Sequence, residues 1–184
     1  MPLTTNDQRL TTDSTIVAIA TAPGLGAIAV VRVAGPAAFV VAERLAPALQ
    51  VARAREAQLV SVIGPDGEPI DQALVTCFPA PHSFTGEDTV ELSVHGGALV
   101  PGMVVAAAIG AGARMAEPGE FTRRAVLNGK LDLLQAEAVG DLIAATAPGQ
   151  ARVALRQLDG GLSRRIATLR DAILETAALL AYAI

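Results

Sequence analysis

Cysteine is almost missing from this sequence: Cys77 stands alone in 184 residues, so no internal disulfide can form. It lies in the apolar run from Ala73 to Phe78, where an inert core thiol is expected. Long hydrophobic runs are missing too. The longest, Ala98 to Ile109, is interrupted by Pro101 and Gly102 and falls short of the roughly 20 apolar residues that span a bilayer. The polar N-terminus, Thr4-Thr5-Asn6-Asp7-Gln8, lacks the apolar stretch of a signal peptide. Positive charge is not in excess: a net charge of −4 leaves no global basic field to draw the chain to nucleic acid. A soluble cytoplasmic chain without membrane association is the expectation. Among the basic residues thirteen are Arg and one is Lys, so Lys130 stands out.

Several chemistries are excluded the same way. There is no G-x-x-x-x-G-K-[S/T] phosphate loop; Lys130 follows Gly129, but Leu131 stands where Ser or Thr is required. No Cys/His cluster offers a zinc site, and two histidines with one cysteine give no nucleophilic triad. Gly24-Leu25-Gly26 follows a strand, yet no helix follows it, which argues against dinucleotide binding. No metal ligand set and no catalytic residue are therefore assigned, and no repeat or low-complexity tract is seen.

What is present is apolar: 52% of the residues, ample for a core. Residues 1–13 read as a disordered leader. Strands are expected over 15–21, 27–34, 57–63, 71–78 and 89–95, with a last short one over 113–116. Gly35-Pro36 starts a helix to about Leu45, and Gly96-Gly97 opens another to about Gly110. In the strand from Thr89 to His95 the alternation is strict, with Val90, Leu92 and Val94 on one face and Glu91, Ser93 and His95 on the other. After Pro118 the period becomes helical. A short helix runs to Leu127, Asn128-Gly129 turns, and Asp132 caps a helix to about Ala145. Ala147-Pro148 starts a long helix whose apolar stripe is Leu155, Leu158, Leu162, Ile166, Leu169, Ile173, Ala177 and Leu180, spaced to sustain one buried seam. Gly160-Gly161 is its weakest point, at about 1–2 kcal/mol of lost propensity. The stripe still runs at Ile184 without a cap, so the chain is expected to be the front part of a longer protein. The organisation expected is a leader (1–13), an α+β domain (14–117) and the start of a helical domain (118–184).

Two charges interrupt strands that otherwise read as buried: Arg32, after Ile28-Ala29-Val30-Val31, and Glu91. Burying a charge without a partner costs several kcal/mol. They therefore lie on a solvent face, pair with each other, or line a ligand pocket. His95 precedes Gly96-Gly97, a junction where backbone N–H groups can approach a ligand closely or where a tight turn simply needs glycine. His82, in a proline-rich loop, reads as solvated. Thr85 and Asp88 are expected to stabilise their turn through side-chain to backbone bonds. The charges of Glu120-Phe121-Thr122-Arg123-Arg124 read as a solvated first helical turn.

Five stretches taken together carry a resemblance. They are Thr15-Ile16-Val17-Ala18 with Ala22-Pro23-Gly24; Val30-Val31-Arg32-Val33; Ser83-Phe84-Thr85-Gly86-Glu87-Asp88 with Val90-Glu91-Leu92; His95-Gly96-Gly97; and Pro118-Gly119-Glu120-Phe121-Thr122 through Leu127-Asn128-Gly129-Lys130-Leu131-Asp132-Leu133 to Gln135-Ala136-Glu137-Ala138. In this order they resemble the front end of the MnmE (TrmE) family of tRNA-modification GTPases. The resemblance implies a mixed β-sheet with helices, similar to the folate-binding domain of aminomethyltransferases, followed by a helical segment into which a Ras-like G domain is inserted. It implies a homodimer and a bound 5-formyl- or 5,10-methylene-tetrahydrofolate contacted by Arg32, Glu91 and Lys130, with His95, Gly96 and Gly97 as a possible additional pocket. With a flavin-dependent partner protein such a family modifies the wobble uridine of certain tRNAs, using GTP, magnesium and potassium in its G domain. This chain alone is expected neither to bind GTP nor to complete that reaction. Departures exist: the family's Gly-Arg-Gly-Gly is Gly24-Leu25-Gly26-Ala27 here, and Ala98 stands where Pro commonly follows His-Gly-Gly. The rival readings are a dimerisation scaffold that binds no folate and a stand-alone aminomethyltransferase-like enzyme, the latter disfavoured by the helical sequence after Pro118.

Overall fold

Alternation in the strands decides the architecture. In the computed structural model, which describes residues 13–182, Val90, Leu92 and Val94 point into a core while Glu91, Ser93 and His95 point away from it. The leader expected over 1–13 lies, except for Asp13, outside the described residues. The elements run β1 (Ile16–Ile19), β2 (Ile28–Ala34), α1 (Ala38–Leu45), β3 (Gln58–Ile63), β4 (Pro69–Phe78), β5 (Thr89–His95), α2 (Val100–Gly110), β6 (Arg114–Met115), α3 (Glu120–Leu127), α4 (Leu133–Ala144), α5 (Pro148–Leu158) and α6 (Gly161–Tyr182). The fold is α+β, and the chain divides into two compact units, one ending at Asn128 and one starting at Gly129. The helix α3 belongs to the first unit.

In the first unit six strands form one mixed sheet in the order β3-β4-β5-β2-β1-β6. Every pairing is antiparallel except β1 with β6. One face of the sheet carries Val31, Val33, Val62, Val75, Val90 and Leu92, and with Val41 and Ala42 of α1 and Val104 and Ala108 of α2 they form the core. Each Val or Leu side chain among them contributes about 1.5–3 kcal/mol on burial. Cys77 is fully buried in this cluster. Burial raises its thiol pKa, with the Glu43 charge adding to the effect, so it is the inert thiol the sequence implied. On the other face of the sheet Arg32, Glu91 and Ser93, at the centres of β2 and β5, are half-buried.

Helix α1 has no side-chain cap of its own; Thr15 Oγ1, from the segment entering β1, accepts the Ala37 N–H at 2.8 Å. That approach depends on Gly35, where φ is +128° and a Cβ would meet Thr15 Cα at 2.8 Å.

The second unit is helical. Asp132 caps α4 as its sequence implies: its Oδ1 accepts the Gln135 N–H at 2.9 Å while Gln135 Oε1 accepts the Asp132 N–H at 2.9 Å. The long helix expected from Pro148 is two helices. Gly160 adopts φ +73°, a left-handed conformation that ends α5, and the Leu158 carbonyl exposed by the break accepts a bond from Gln135 Nε2 at 2.8 Å. The expected buried seam is correspondingly not buried. Ala154 is covered, but Leu169, Ile173 and Leu180 on α6 remain about 60% exposed, because among the described residues no element of the second unit covers that stripe. Among the described residues no helix is long and apolar enough to cross a membrane.

Candidate functional site

Arg32 and Glu91 sit opposite each other in the antiparallel register of β2 and β5, with Ala18 of β1 and Thr76 of β4 on either side. Because side chains alternate, both project from the face opposite the core. Arg32 Nε and Nη2 donate to Glu91 Oε1 at 2.9 and 2.7 Å. The side chains are 23% and 30% exposed, so the solvent-face and mutual-pairing readings both hold. A pair this accessible contributes only about 0–1 kcal/mol to stability. Two rings lie beside the guanidinium: Phe84, from the loop before β5, at 5.3 Å from Arg32 Cζ, and Phe121, from the first turn of α3, at 5.5 Å. Sequence reasoning gave neither ring a role. The available signal was an aromatic side chain inside two otherwise polar stretches.

Behind these rings lies a second ionic cluster of opposite character. Glu120 and Arg124, one turn apart on α3, are 1% and 2% exposed and pair at 3.0 Å. Arg124 also donates to both carboxylate oxygens of Glu87 at 3.1 and 3.2 Å, and Arg114 from β6 donates to Glu120 at 2.8 and 2.5 Å. The expectation of a solvated first turn is thus corrected. Three further polar partners from β6, the loop before β5 and the α3 N-terminus make burial tolerable. Burial by itself raises the Glu120 carboxyl, but bonds from Arg114, the Glu117 N–H and Arg124 outweigh it and bring its pKa to about 2. For Glu87 burial wins over the Arg124 charge and the pKa is raised. The loop bearing Phe84 is fixed as expected, by Glu87 N–H to Thr85 Oγ1 at 3.2 Å and Ala80 N–H to Asp88 Oδ1 at 2.8 Å. Asn128 Nδ2 adds a bond to the Thr85 carbonyl at 2.8 Å.

The His95-Gly96-Gly97 stretch lies at the end of β5, where His95 pairs with Ile28. Arg32 is four residues along β2, about 13 Å away at strand rise. His95 is exposed, its Nδ1 bonded to Asp71 Oδ1 at 2.7 Å and its N–H to Asp71 Oδ2 at 2.8 Å. Burial pushes the Asp71 carboxyl up, but the His95 backbone and ring bonds and the Gln72 N–H together hold it lowered. Gly96 has a structural reason to be glycine: a Cβ would lie 2.7 Å from the Gly26 carbonyl oxygen, and the two segments exchange the bonds Gly26 N–H to Gly96 O and Gly96 N–H to Ala27 O. Gly97 faces open space. Gly96 and Gly97 line a cleft of about 600 Å³ with residues 21–26, mostly apolar, that includes neither Arg32 nor Glu91. A second cleft of about 550 Å³, between α4 and α5, offers only Asp141 and Gln150 as polar side chains.

Lys130 lies in the second unit, exposed, in the turn before α4. Among the described residues no group of His, Cys, Asp and Glu is placed to hold a metal ion.

The family model described as the GTP-binding protein TrmE N-terminus matches residues 15–130, and that of the MnmE helical domain matches residues 133–184. Three curated relatives to which this chain is similar are each a tRNA modification GTPase MnmE. The protein of Parabacteroides distasonis is 47% identical over 173 residues, that of Chloroflexus aurantiacus 50% over 165, and that of Phenylobacterium zucineum 53% over 165. These matches cover 91%, 89% and 90% of this chain but only 38%, 36% and 37% of the relatives.

Proposed function

This chain belongs to the MnmE (TrmE) family, of which it carries the N-terminal and helical domains, and from that premise we propose that it is the folate-binding and dimerisation module of a tRNA-modification GTPase. The observation that supports this most is the Arg32–Glu91 pair: opposite charges at the centre of a sheet, aimed away from the core, partly accessible and flanked by two rings. The donor set fits a reduced folate. Glu91 can accept from the donor edge of a pterin, Arg32 can neutralise a glutamate carboxylate, and charge-assisted bonds of this kind are short and strong. When bound, 5-formyl- or 5,10-methylene-tetrahydrofolate supplies the one-carbon unit. The role of Lys130 in folate binding is proposed on the resemblance alone. The same holds for the whole protein's activity: wobble-uridine modification of tRNA in the cytoplasm with a flavin-dependent partner, and GTP hydrolysis with magnesium and potassium in a G domain.

Calorimetric titration of 5-formyl-tetrahydrofolate into the purified chain tests the reading. Saturable binding is expected; its absence overturns the folate assignment. A second reading, a homodimerisation scaffold that binds no folate, is favoured by the way Arg32 and Glu91 satisfy each other. Sedimentation equilibrium addresses the dimer separately: a mass that rises to twice the monomer is expected, and a monomer at every concentration refutes dimerisation under either reading.

A further inference from the structure

The chain has four phenylalanines, one tyrosine and no tryptophan. Two of those five rings, from segments 37 residues apart in sequence, converge on the Arg32 guanidinium at 5.3 and 5.5 Å. A third, Phe78, lies over Arg55 at 5.9 Å on another part of the sheet. The convergence at Arg32 is imposed from behind. Glu87, three residues after Phe84, and Glu120, the residue before Phe121, both bond to the buried Arg124, so one cation ties the two ring-bearing segments together. A buried ion pair is weak evidence for net stability, yet removing one partner is strongly destabilising, so the two segments are held to the arrangement in which Arg124 is paired. Phe84 is also 38% exposed, although its loop is fastened by Ser83 Oγ to the Glu87 carbonyl at 2.6 Å and by Asn128 to Thr85. A ring held in place with that much free surface offers apolar area for a planar group to cover.

We infer that Phe84 and Phe121 are the ring-selecting contacts of this site: they stack on or against the pteridine of the ligand while Glu91 accepts from its donor edge. This deepens the folate reading and rests on it. Arg124, Glu87 and Glu120 are then positioning residues that act through the two rings.

The test uses the full chain and three probes: 5-formyl-tetrahydrofolate, a pterin lacking the aminobenzoyl-glutamate tail, and p-aminobenzoyl-glutamate, which lacks the pterin. Phe84→Leu and Phe121→Leu keep apolar volume but remove the aromatic face. Each is expected to weaken the whole folate and the bare pterin roughly three- to tenfold and to leave p-aminobenzoyl-glutamate unchanged, with the thermal midpoint near that of the parent. Phe84→Tyr, which keeps the face, is expected to retain affinity. Unchanged pterin affinity in both leucine variants overturns the inference. So does a loss confined to p-aminobenzoyl-glutamate, which would mean that the rings act only by holding Arg32 for the tail carboxylate. If the parent chain binds none of the three probes, the folate reading itself fails, an outcome distinct from loss of ring selection.

Discussion

Two Arg–Glu clusters stand within one unit and differ in a way that separates structure from function. Arg124 and Glu120 are about 2% exposed and embedded in a network with Glu87 and Arg114. Arg32 and Glu91 are a lone pair at 23% and 30% exposure. Charge type and pairing distance are nearly the same. Access to solvent makes the first a tie inside the fold and leaves the second within reach of the ligand proposed above. An arginine beside a glutamate is therefore uninformative until its accessibility is known.

The contrast is broken most forcefully by Glu120→Ala. Removing one member of a buried network leaves the others uncompensated, and a loss of about 3–5 kcal/mol in urea-melt stability is expected. A loss under 1 kcal/mol would place Glu120 with the surface pairs. Acid tests the same residue without mutation. The folded-state pKa of Glu120 is lowered to about 2 from 4.5, so its stabilisation is present above about pH 4.5 and is lost as pH falls toward 2. Glu87 acts oppositely: its raised folded pKa gives a contribution present below its unfolded value and lost as pH rises through the folded one. The net loss between pH 5 and pH 3 is expected to be smaller than that of Glu120→Ala, and chemical denaturation at several pH values should show Glu120→Ala flattening the acid limb.

Arg32→Ala and Glu91→Ala sharpen the other side. Each is expected to move stability by no more than about 1 kcal/mol while weakening reduced-folate binding by about 1.5–3 kcal/mol, ten- to a hundredfold. Collapsed melting with unaffected binding would make this pair structural after all. The smallest effect is expected at Lys130. Lys130→Ala should leave the thermal midpoint alone and weaken folate binding by about tenfold or less; unaltered binding would remove it from the proposed site.

Much of this fold was legible because local patterns and tertiary burial agree. The strict alternation of 89–95 put Glu91 on the face where it is found, and Asp132 announced the α4 cap, to which the structure adds Gln135. The buried network was not legible for a physical reason. Glu120 and Arg124 look like an ordinary charged helix turn, and only Glu87, 37 residues earlier, shows that the turn is enclosed. Gly160 was recognised as weak, but propensity alone does not distinguish a tolerated glycine from one that turns left-handed and ends the helix. The apolar stripe of α6 has the correct period for burial, yet periodicity names only the face and not what covers it. For the candidate site, Arg32 and Glu91 were visible as charges in strands, whereas the rings beside them became visible only in three dimensions.

Arg32 Nε and Nη2 both donate to one oxygen of Glu91, so each of the two charges already holds the other's place. On the proposed folate reading, a ligand that takes either residue competes with an internal partner of fixed, very high local concentration. The apparent affinity is then the intrinsic one scaled by the fraction of time the pair stands open. Substitutions that loosen the pair without deleting either charge would therefore tighten binding, and the tuning of this face lies as much in how readily the two residues part as in what they touch afterwards.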